Sequence, residues 1–232
     1  MKKILVCMAA AAALVITSCS SSDDNNPSTS TSGKMLATMA VADGSTYTFT
    51  YDDHKRISTI AENDGFGGNY VYTMGYEGTS NRLTTITETG DETGLVTLGY
   101  DSNHRLNSVN DNGTTTAISY TSGVYSTGDI SWTLNSKGDL ATVIADDVYT
   151  FSYDGNKKGA FSGTQTPLML LGLIQFNDFL WFGSRGALTG ADSVASDDYT
   201  VTNTYNSSNQ PTTSVESLGG TAEETASFTY QP

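Results

Sequence analysis

Residues 51–60 read Tyr51-Asp52-Asp53-His54-Lys55-Arg56-Ile57-Ser58-Thr59-Ile60: an aromatic, an acid, a polar turn, a basic residue, then two aliphatics three apart. The same unit recurs as Tyr100-Asp101-Ser102-Asn103-His104-Arg105-Leu106-Asn107-Ser108-Val109, matching at the aromatic, the Asp, the Arg and both aliphatics. Tyr76 to Ile86 repeats it with one inserted residue, which places Arg82 and Leu83 at the equivalent positions. Leu134 to Val143 repeats it with Leu for the aromatic and Asp139 for the Arg. The interval between units is about one pair of hairpin strands, so each unit reads as a strand, a polar turn and a return strand.

Outward from these units the chain alternates. Tyr47, Phe49 and Tyr51 fall on one face of a strand while Thr46, Thr48 and Thr50 fall on the other. Tyr70, Tyr72, Met74 and Tyr76 do the same, as do Val96, Leu98 and Tyr100, Ile130, Trp132 and Leu134, Tyr149, Phe151 and Tyr153, and Tyr199, Val201 and Tyr205. A period of two with one greasy and one hydroxylated face predicts antiparallel strands packed on a core on one side and wet on the other. Asp43-Gly44, Asn112-Gly113, Ser122-Gly123 and Gly219-Gly220 suit tight hairpins, and Gly65-Phe66-Gly67-Gly68 suits a longer loop. The fold predicted is mainly β: an antiparallel meander of about a dozen strands, curled into an open or partial barrel because a twisted sheet that wide must bend.

One segment breaks the alternation. Thr166 to Gly183 is apolar on nearly every side of a helical wheel, with Gln175, Asn177 and Asp178 as its polar side chains. Thr166 fits an N-cap, Pro167 a first helical position and Gly183 a stop. Too short for the roughly 20 apolar residues a spanning helix needs, it reads as a helix that covers the core face of the sheet. Residues 184–198 then read as a return loop before final strands at Tyr199 to Tyr205, Thr212 to Glu216 and Thr225 to Tyr230.

The beginning of the chain is different in kind. Lys2 and Lys3 precede an apolar run from Ile4 to Ile16, the pattern of a secretory signal. Ile16-Thr17-Ser18-Cys19 resembles a bacterial lipobox, which implies removal of residues 1–18 and lipidation of Cys19. Residues 19–33 form a Ser/Asp/Asn tether with no hydrophobic side chain beyond Cys19, and 34–232 form a single domain. Ser20-Ser21-Ser22-Asp23-Asp24 resembles the acidic export signal of Bacteroidetes-type lipoproteins, which favours the cell surface over the periplasmic face of the outer membrane.

The repeated unit resembles the tyrosine-aspartate repeat of Rhs-type proteins. The whole arrangement resembles a Bacteroidetes-type lipoprotein family of unknown function described as having a porin-like β fold. The likeness rests on the signal and acidic segment, the repeat units, an apolar insertion after Tyr153-Asp154-Gly155-Asn156-Lys157-Lys158, and a late unit, Tyr205-Asn206-Ser207-Ser208-Asn209-Gln210-Pro211-Thr212. Leu134, Asp139 and Gln210 depart from the pattern. These motifs are structural, so the resemblance implies a fold rather than an activity.

Searching for chemistry yields little. His54 and His104 lie in separate polar turns, too few and too dispersed for a zinc site. No Gly-x-Ser-x-Gly elbow is present. The acid pairs Asp52-Asp53, Asp91-Glu92, Asp146-Asp147, Asp197-Asp198 and Glu223-Glu224 read as solvated turn charges, and Glu62-Asn63-Asp64 lacks the spacing of a calcium loop. Arg56, Arg82 and Arg105 stand at matching positions and are expected to pair with acids of their own or neighbouring turns. Trp132 and Trp181 read as core residues rather than a sugar platform. Without Lys2 and Lys3 the chain carries nine basic and twenty-five acidic residues, a net charge of −16. That balance argues against nucleic acid as partner, and against adhesion to anionic headgroups.

These readings converge on a monomeric, non-catalytic binding or scaffold domain held at the outer membrane by a lipid anchor, with no cofactor or metal and with a glycan, lipid or protein as ligand. A carrier of a hydrophobic molecule between helix and sheet is the alternative, and a glycan-active enzyme the third. An integral barrel is rejected because the second strand face is Thr and Ser, too polar for lipid.

Overall fold

The computed structural model describes residues 33–232 apart from 129, 167, 169–170 and 173–177. The signal segment, Cys19 and the tether up to residue 32 lie outside the described residues. The strands follow in chain order as β1 (Leu36–Val41), β2 (Thr46–Tyr51), β3 (Ile57–Asn63), β4 (Asn69–Tyr76), β5 (Leu83–Gly90), β6 (Gly94–Tyr100), β7 (Leu106–Asp111), β8 (Thr114–Ala117) and β9 (Ser119–Thr121). They continue as β10 (Val124–Ser126), β11 (Ser131–Leu134), β12 (Leu140–Ile144), β13 (Val148–Lys158), β14 (Gly186–Ser193), β15 (Tyr199–Tyr205), β16 (Pro211–Leu218) and β17 (Thr221–Tyr230), with helix α1 (Asp178–Phe182) between β13 and β14. Seventeen strands among the described residues exceed the dozen expected.

Each strand pairs antiparallel with its neighbour in the chain from β1 to β8 and from β9 to β17, and β1 pairs with β17 through Leu36 and Tyr230 at one end and Val41 and Ala226 at the other. Between β8 and β9 the wall is carried by the chain itself: Ile118 separates them, and its N–H donates to Asn107 C=O at 2.8 Å. The result is a nearly closed meander barrel.

Alternation decides what faces inward. Tyr47, Phe49, Ile60, Tyr72, Met74, Ile86, Leu98 and Trp132 are buried in one core, whereas Thr46, Thr48 and Thr50 are exposed on the outer wall. Outer threonines hydrogen-bond across strands, Thr50 to Thr59 at 2.6 Å, Thr133 to Thr142 at 2.7 Å and Thr204 to Thr213 at 2.6 Å, so the polar face has its own ladder.

The core of the barrel is filled by the segment between β13 and β14. Phe179 meets Tyr47 edge-on at 5.5 Å and Phe161 at 5.4 Å, and Phe182 meets Phe228 at 6.4 Å between ring centres. Leu168 and Leu171, also helical, are buried in the same cluster. The segment is thus an internal plug; the parts of the expected helix at 167, 169–170 and 173–177 lie outside the described residues. Thr166, the expected N-cap, also reaches the barrel wall. Its hydroxyl accepts Ile57 N–H at 2.6 Å and bonds the Tyr76 hydroxyl at 2.9 Å, so it rivets the plug to the wall.

The expected return loop over 184–198 is a second correction, because Gly186–Ser193 is strand β14, paired along most of its length with β13. Its glycines and alanines hide a strand pattern for a steric reason. A Cβ on Gly190 would lie 2.4 Å from Tyr199 C=O, and one on Gly186 would press on the Tyr153 ring at 3.1 Å. Small residues are what the crowded passage beside the plug tolerates. The last two strands also run longer than expected, to Pro211–Leu218 and Thr221–Tyr230.

Candidate functional site

The repeat units stack their turns on one rim. In four of them the side-chain Oδ1 of the residue after the aromatic, or after Leu134, accepts two amides: Asp52 from His54 and Arg56, Asp101 from Asn103 and Arg105, Asn135 from Lys137 and Asp139, Asn206 from Ser208 and Gln210, all at 2.8–3.1 Å. That is why Asp or Asn stands there: a short acceptor closes the turn onto its own backbone. The next-to-last turn residue is left-handed in each case, with φ of 60° at Lys55, 64° at His104, 81° at Gly138 and 60° at Asn209. The aromatic then reaches sideways. Tyr51, Tyr76, Tyr100, Tyr153 and Tyr230 donate their hydroxyls to the C=O of Leu36, Ile57, Leu83, Leu140 and Pro211, each the first residue of an earlier return strand. Burial pushes all five hydroxyls well above the usual phenol range.

The arginines divide in their behaviour. Arg56, 7% exposed, pairs with Asp52 at 2.6 Å, donates to Gly78 C=O at 2.9 Å and Ser80 C=O at 2.5 Å, and lies 4.3 Å from the Tyr76 ring centre. Burial alone would raise the Asp52 carboxyl, but hydrogen bonds from the Arg56 amide and guanidinium outweigh it and hold the pKa below the usual range. Arg82 pairs with Glu77 at 2.7 Å and touches His104 Nδ1. Among the described residues the Arg105 guanidinium stacks over Tyr120 at 4.4 Å rather than pairing with the acid expected.

The two departures from Arg have their own use. Asp139 accepts the amides of Arg185 and Gly186 at 2.7 and 2.8 Å, where the chain leaves the plug. Its burial pushes the carboxyl up despite those bonds. Gln210, fully buried, holds Lys34 by both backbone groups. The turn rim therefore also anchors the plug and the entry of the chain into the barrel.

The opposite mouth is built by the hairpins. Asn112-Gly113, Ser122-Gly123 and Gly219-Gly220 all have positive φ at both residues, as tight hairpin turns require, although Ser122-Gly123, on the short strands β9 and β10, turns back on the side of the repeat rim. Its acids are mostly structural acceptors. Asp147 accepts hydrogen bonds from Ser193 Oγ, Ser196 Oγ and the Val148 and Ala195 amides, and the Ser193 hydroxyl above all holds it at about 2. Asp64 accepts Phe66 and Gly68 amides at 2.9 and 2.8 Å, fixing a loop that leaves Phe66 85% exposed. Of the carboxylates on the inner face two are buried, Glu88 opposite Tyr72 and Glu216 opposite Glu224. Burial first, then the Glu223 charge, pushes Glu216 above the usual range. The periodicity of β5 and β16 could have flagged both, since each acid stands two residues from a buried inward position, Ile86 and Ser214.

Charge is segregated between the two ends. Lys34, Lys55, Arg56, Arg82, Arg105, Lys137, Lys157, Lys158 and Arg185 all belong to the repeat-turn rim or the plug base behind it. Asp43, Asp64, Asp91, Glu92, Asp146, Asp147, Asp197, Asp198, Glu223 and Glu224 belong to the other mouth, where no Lys or Arg stands among the described residues. The rim also carries Asp52, Asp53, Glu77, Asp101, Asp139 and Asp154, six acids against its nine cations, so it is net positive while the other mouth is uniformly acidic among the described residues.

Of the remaining candidates, His54 and His104 are exposed and remain in separate turns. Trp132 stacks on Tyr125 inside the wall, and Trp181 lies 4.5 Å from Tyr199. Among the described residues no three His, Cys, Asp or Glu converge on a point suited to a metal ion. Two crevices border the plug, one of about 10 Å³ beside Trp181 and Phe182 and one of about 20 Å³ beside Phe179 and Leu180.

The chain matches no protein-family model and no curated protein. Among solved structures it is similar to a porin-like protein from Bacteroides uniformis, at 13% identity over 84% of this chain and 98% of that one, with a TM-score of 0.44. A porin-like protein from Bacteroides vulgatus is similar at 11% identity over 85% and 99% of the two chains, also with a TM-score of 0.44. Nothing about the chemistry of this chain follows from likeness at that distance.

Proposed function

We propose that this protein is an envelope lipoprotein, held at the outer membrane through acylated Cys19, whose plugged barrel is a rigid, non-catalytic binding or scaffold domain. The observation that carries this reading is the direction of the barrel. Its apolar face is inside and filled by Phe161, Phe179 and Phe182, while the outer wall is Thr-rich. A membrane-spanning barrel needs the reverse, an apolar outer band. Such a body stays at a membrane only if something else holds it there, which is the part given to Cys19. The carrier alternative asks for space of a few hundred Å³; the two plug crevices hold room for about a water each. A glycosidase asks for two facing carboxyls about 5 to 10 Å apart. Buried Glu88 and Glu216 instead stand on β5 and β16, with β4, β3, β2, β1 and β17 between them, and Glu224, the cross-strand neighbour of Glu216, stands beside it on the same wall rather than across a cleft.

The test is expression of the whole chain and of Cys19→Ala in a lipoprotein-processing host, followed by membrane fractionation and intact mass. The expected result is an acylated protein that sediments with outer membrane and a variant that does not. Equal sedimentation of the two, or an unmodified Cys19, would overturn the anchor.

A further inference from the structure

The geometry points to a lipid-facing surface: the repeat-turn rim docks on a phosphate-bearing membrane surface, with the acidic mouth turned away from it. This rests on the anchor proposed above. The argument joins two independent features. First, the chain enters the barrel at this rim, because Gln210 fixes Lys34 between the turn at 206–209 and the plug base. A tether to Cys19 therefore leaves from the rim, which lets the rim approach the membrane without the chain having to pass along the barrel wall. Second, the rim is where the cations are. Arg56 and Arg82 are neutralised by Asp52 and Glu77, and Asp53, Asp101, Asp139 and Asp154 share the rim, but nine Lys and Arg against six acids leave it net positive; Lys34 and Lys55 are exposed, Lys137 and Lys157 are half-exposed, and the Arg105 guanidinium stacks on Tyr120.

Distance turns this into an orientation. An eight-residue strand such as β4 rises roughly 26 Å, or about 20 Å along a barrel axis once tilted. Screening at physiological salt acts over about 8 Å. Cations at the rim fall within that range of a surface they touch, whereas Asp91, Asp146 and Asp197 at the other mouth lie beyond it. Inverting the barrel would bring the acids against like charge. Net charge alone pointed to repulsion from anionic headgroups; the segregation reverses that for this one surface.

The test uses the full-length, processed protein in vesicles of phosphatidylcholine alone or with about one third phosphatidylglycerol, an anionic lipid. A single fluorophore is placed through Ser136→Cys on the rim or Thr93→Cys at the mouth, both exposed positions, and read against a headgroup quencher. In anionic vesicles the rim label is expected to be quenched several-fold more than the mouth label. Lys55→Gln/Lys137→Gln/Lys157→Gln, or high salt, should close most of that gap, with the circular dichroism spectrum of the variant unchanged. Equal or reversed quenching on a chain whose mass carries acyl groups would overturn the orientation while leaving the anchor standing, as would a gap indifferent to the triple variant. A mass without acyl groups would remove the anchor itself, and the orientation with it.

Discussion

Gln210 grips both backbone groups of Lys34, its Oε1 accepting Lys34 N–H at 3.0 Å and its Nε2 donating to Lys34 C=O at 2.8 Å. At the position where other units carry Arg, an amide fits because it gives and accepts at once, whereas Arg only donates and a carboxylate only accepts. Gln210→Ala should cost about 1 to 3 kcal/mol by leaving both backbone groups without their partner. Gln210→Glu should cost at least as much, since a carboxylate would face Lys34 C=O. Urea unfolding measures the loss; a variant as stable as the parent would show that water replaces the clamp.

Asp139 has the same logic with opposite charge. Its two oxygens each accept an amide, from Arg185 and Gly186. Asp139→Asn keeps the shape but presents one NH₂ to an N–H, and is expected to destabilise by about 1 to 3 kcal/mol. Hydrogen exchange should show the loss first at Arg185 and Gly186. Unaltered protection there would reject the assigned role.

Phe179 is the centre of the plug, in contact with Tyr47, Phe49 and Phe161. Phe179→Ala should lower stability by about 3 to 5 kcal/mol, the cost of a large core ring and the cavity it leaves. Thermal unfolding of the variant checks this, and a drop below about 1 kcal/mol would mean that the plug is not part of the folding core.

Glu216 gives a pH signature. Its folded pKa is raised above the ordinary 4.5, so the folded state binds the proton more tightly than the unfolded chain. The charged form therefore costs stability above the folded pKa, and the cost vanishes below 4.5, where both states are protonated. Glu216→Gln is expected to raise the melting temperature at pH 7 and to have little effect at pH 4. A gain independent of pH would sink this account.

The left-handed turn positions supply a graded series. Gly138 already has the residue that φ of 81° favours, whereas Lys55 and His104 carry a Cβ at 60° and 64°. Lys55→Gly and His104→Gly should each stabilise by about 0.5 to 1 kcal/mol. Asn209→Gly should gain less, because Asn tolerates this conformation. Melting temperatures that rank otherwise would mean that these side chains make contacts worth more than the strain.

Much of this architecture could be read in the sequence because period two is written by the core itself. Tyr47, Phe49, Tyr70 and Tyr72 alternate with threonine since one face meets the plug and the other meets water. β14 was unreadable because crowding against Tyr153 and Tyr199 selects Gly and Ala, which erases the alternation. The use of Asp139 and Gln210 was hidden for another reason. Each looks like a defect in a repeat, and its partners, Arg185 and Lys34, are remote in the chain. The inward acids Glu88 and Glu216 were lost among many acids in loops, and the segregation of charge was invisible to any sum over residues.

The pairing of β1 with β17 has a consequence for how the molecule comes into being. Gln231 N–H donates to Met35 C=O at 2.9 Å, joining two ends of the described chain, so the wall cannot be completed until nearly all of it has been delivered. Until then the ribbon has an apolar side, two bare edges at β1 and β16, and a plug with nothing to enclose it. Contacts this remote form slowly, and the intermediate is the kind that aggregates. Slow closure is a hazard in a crowded compartment of synthesis but suits a chain threaded unfolded through a membrane, which can postpone folding until its last strand has arrived on the far side.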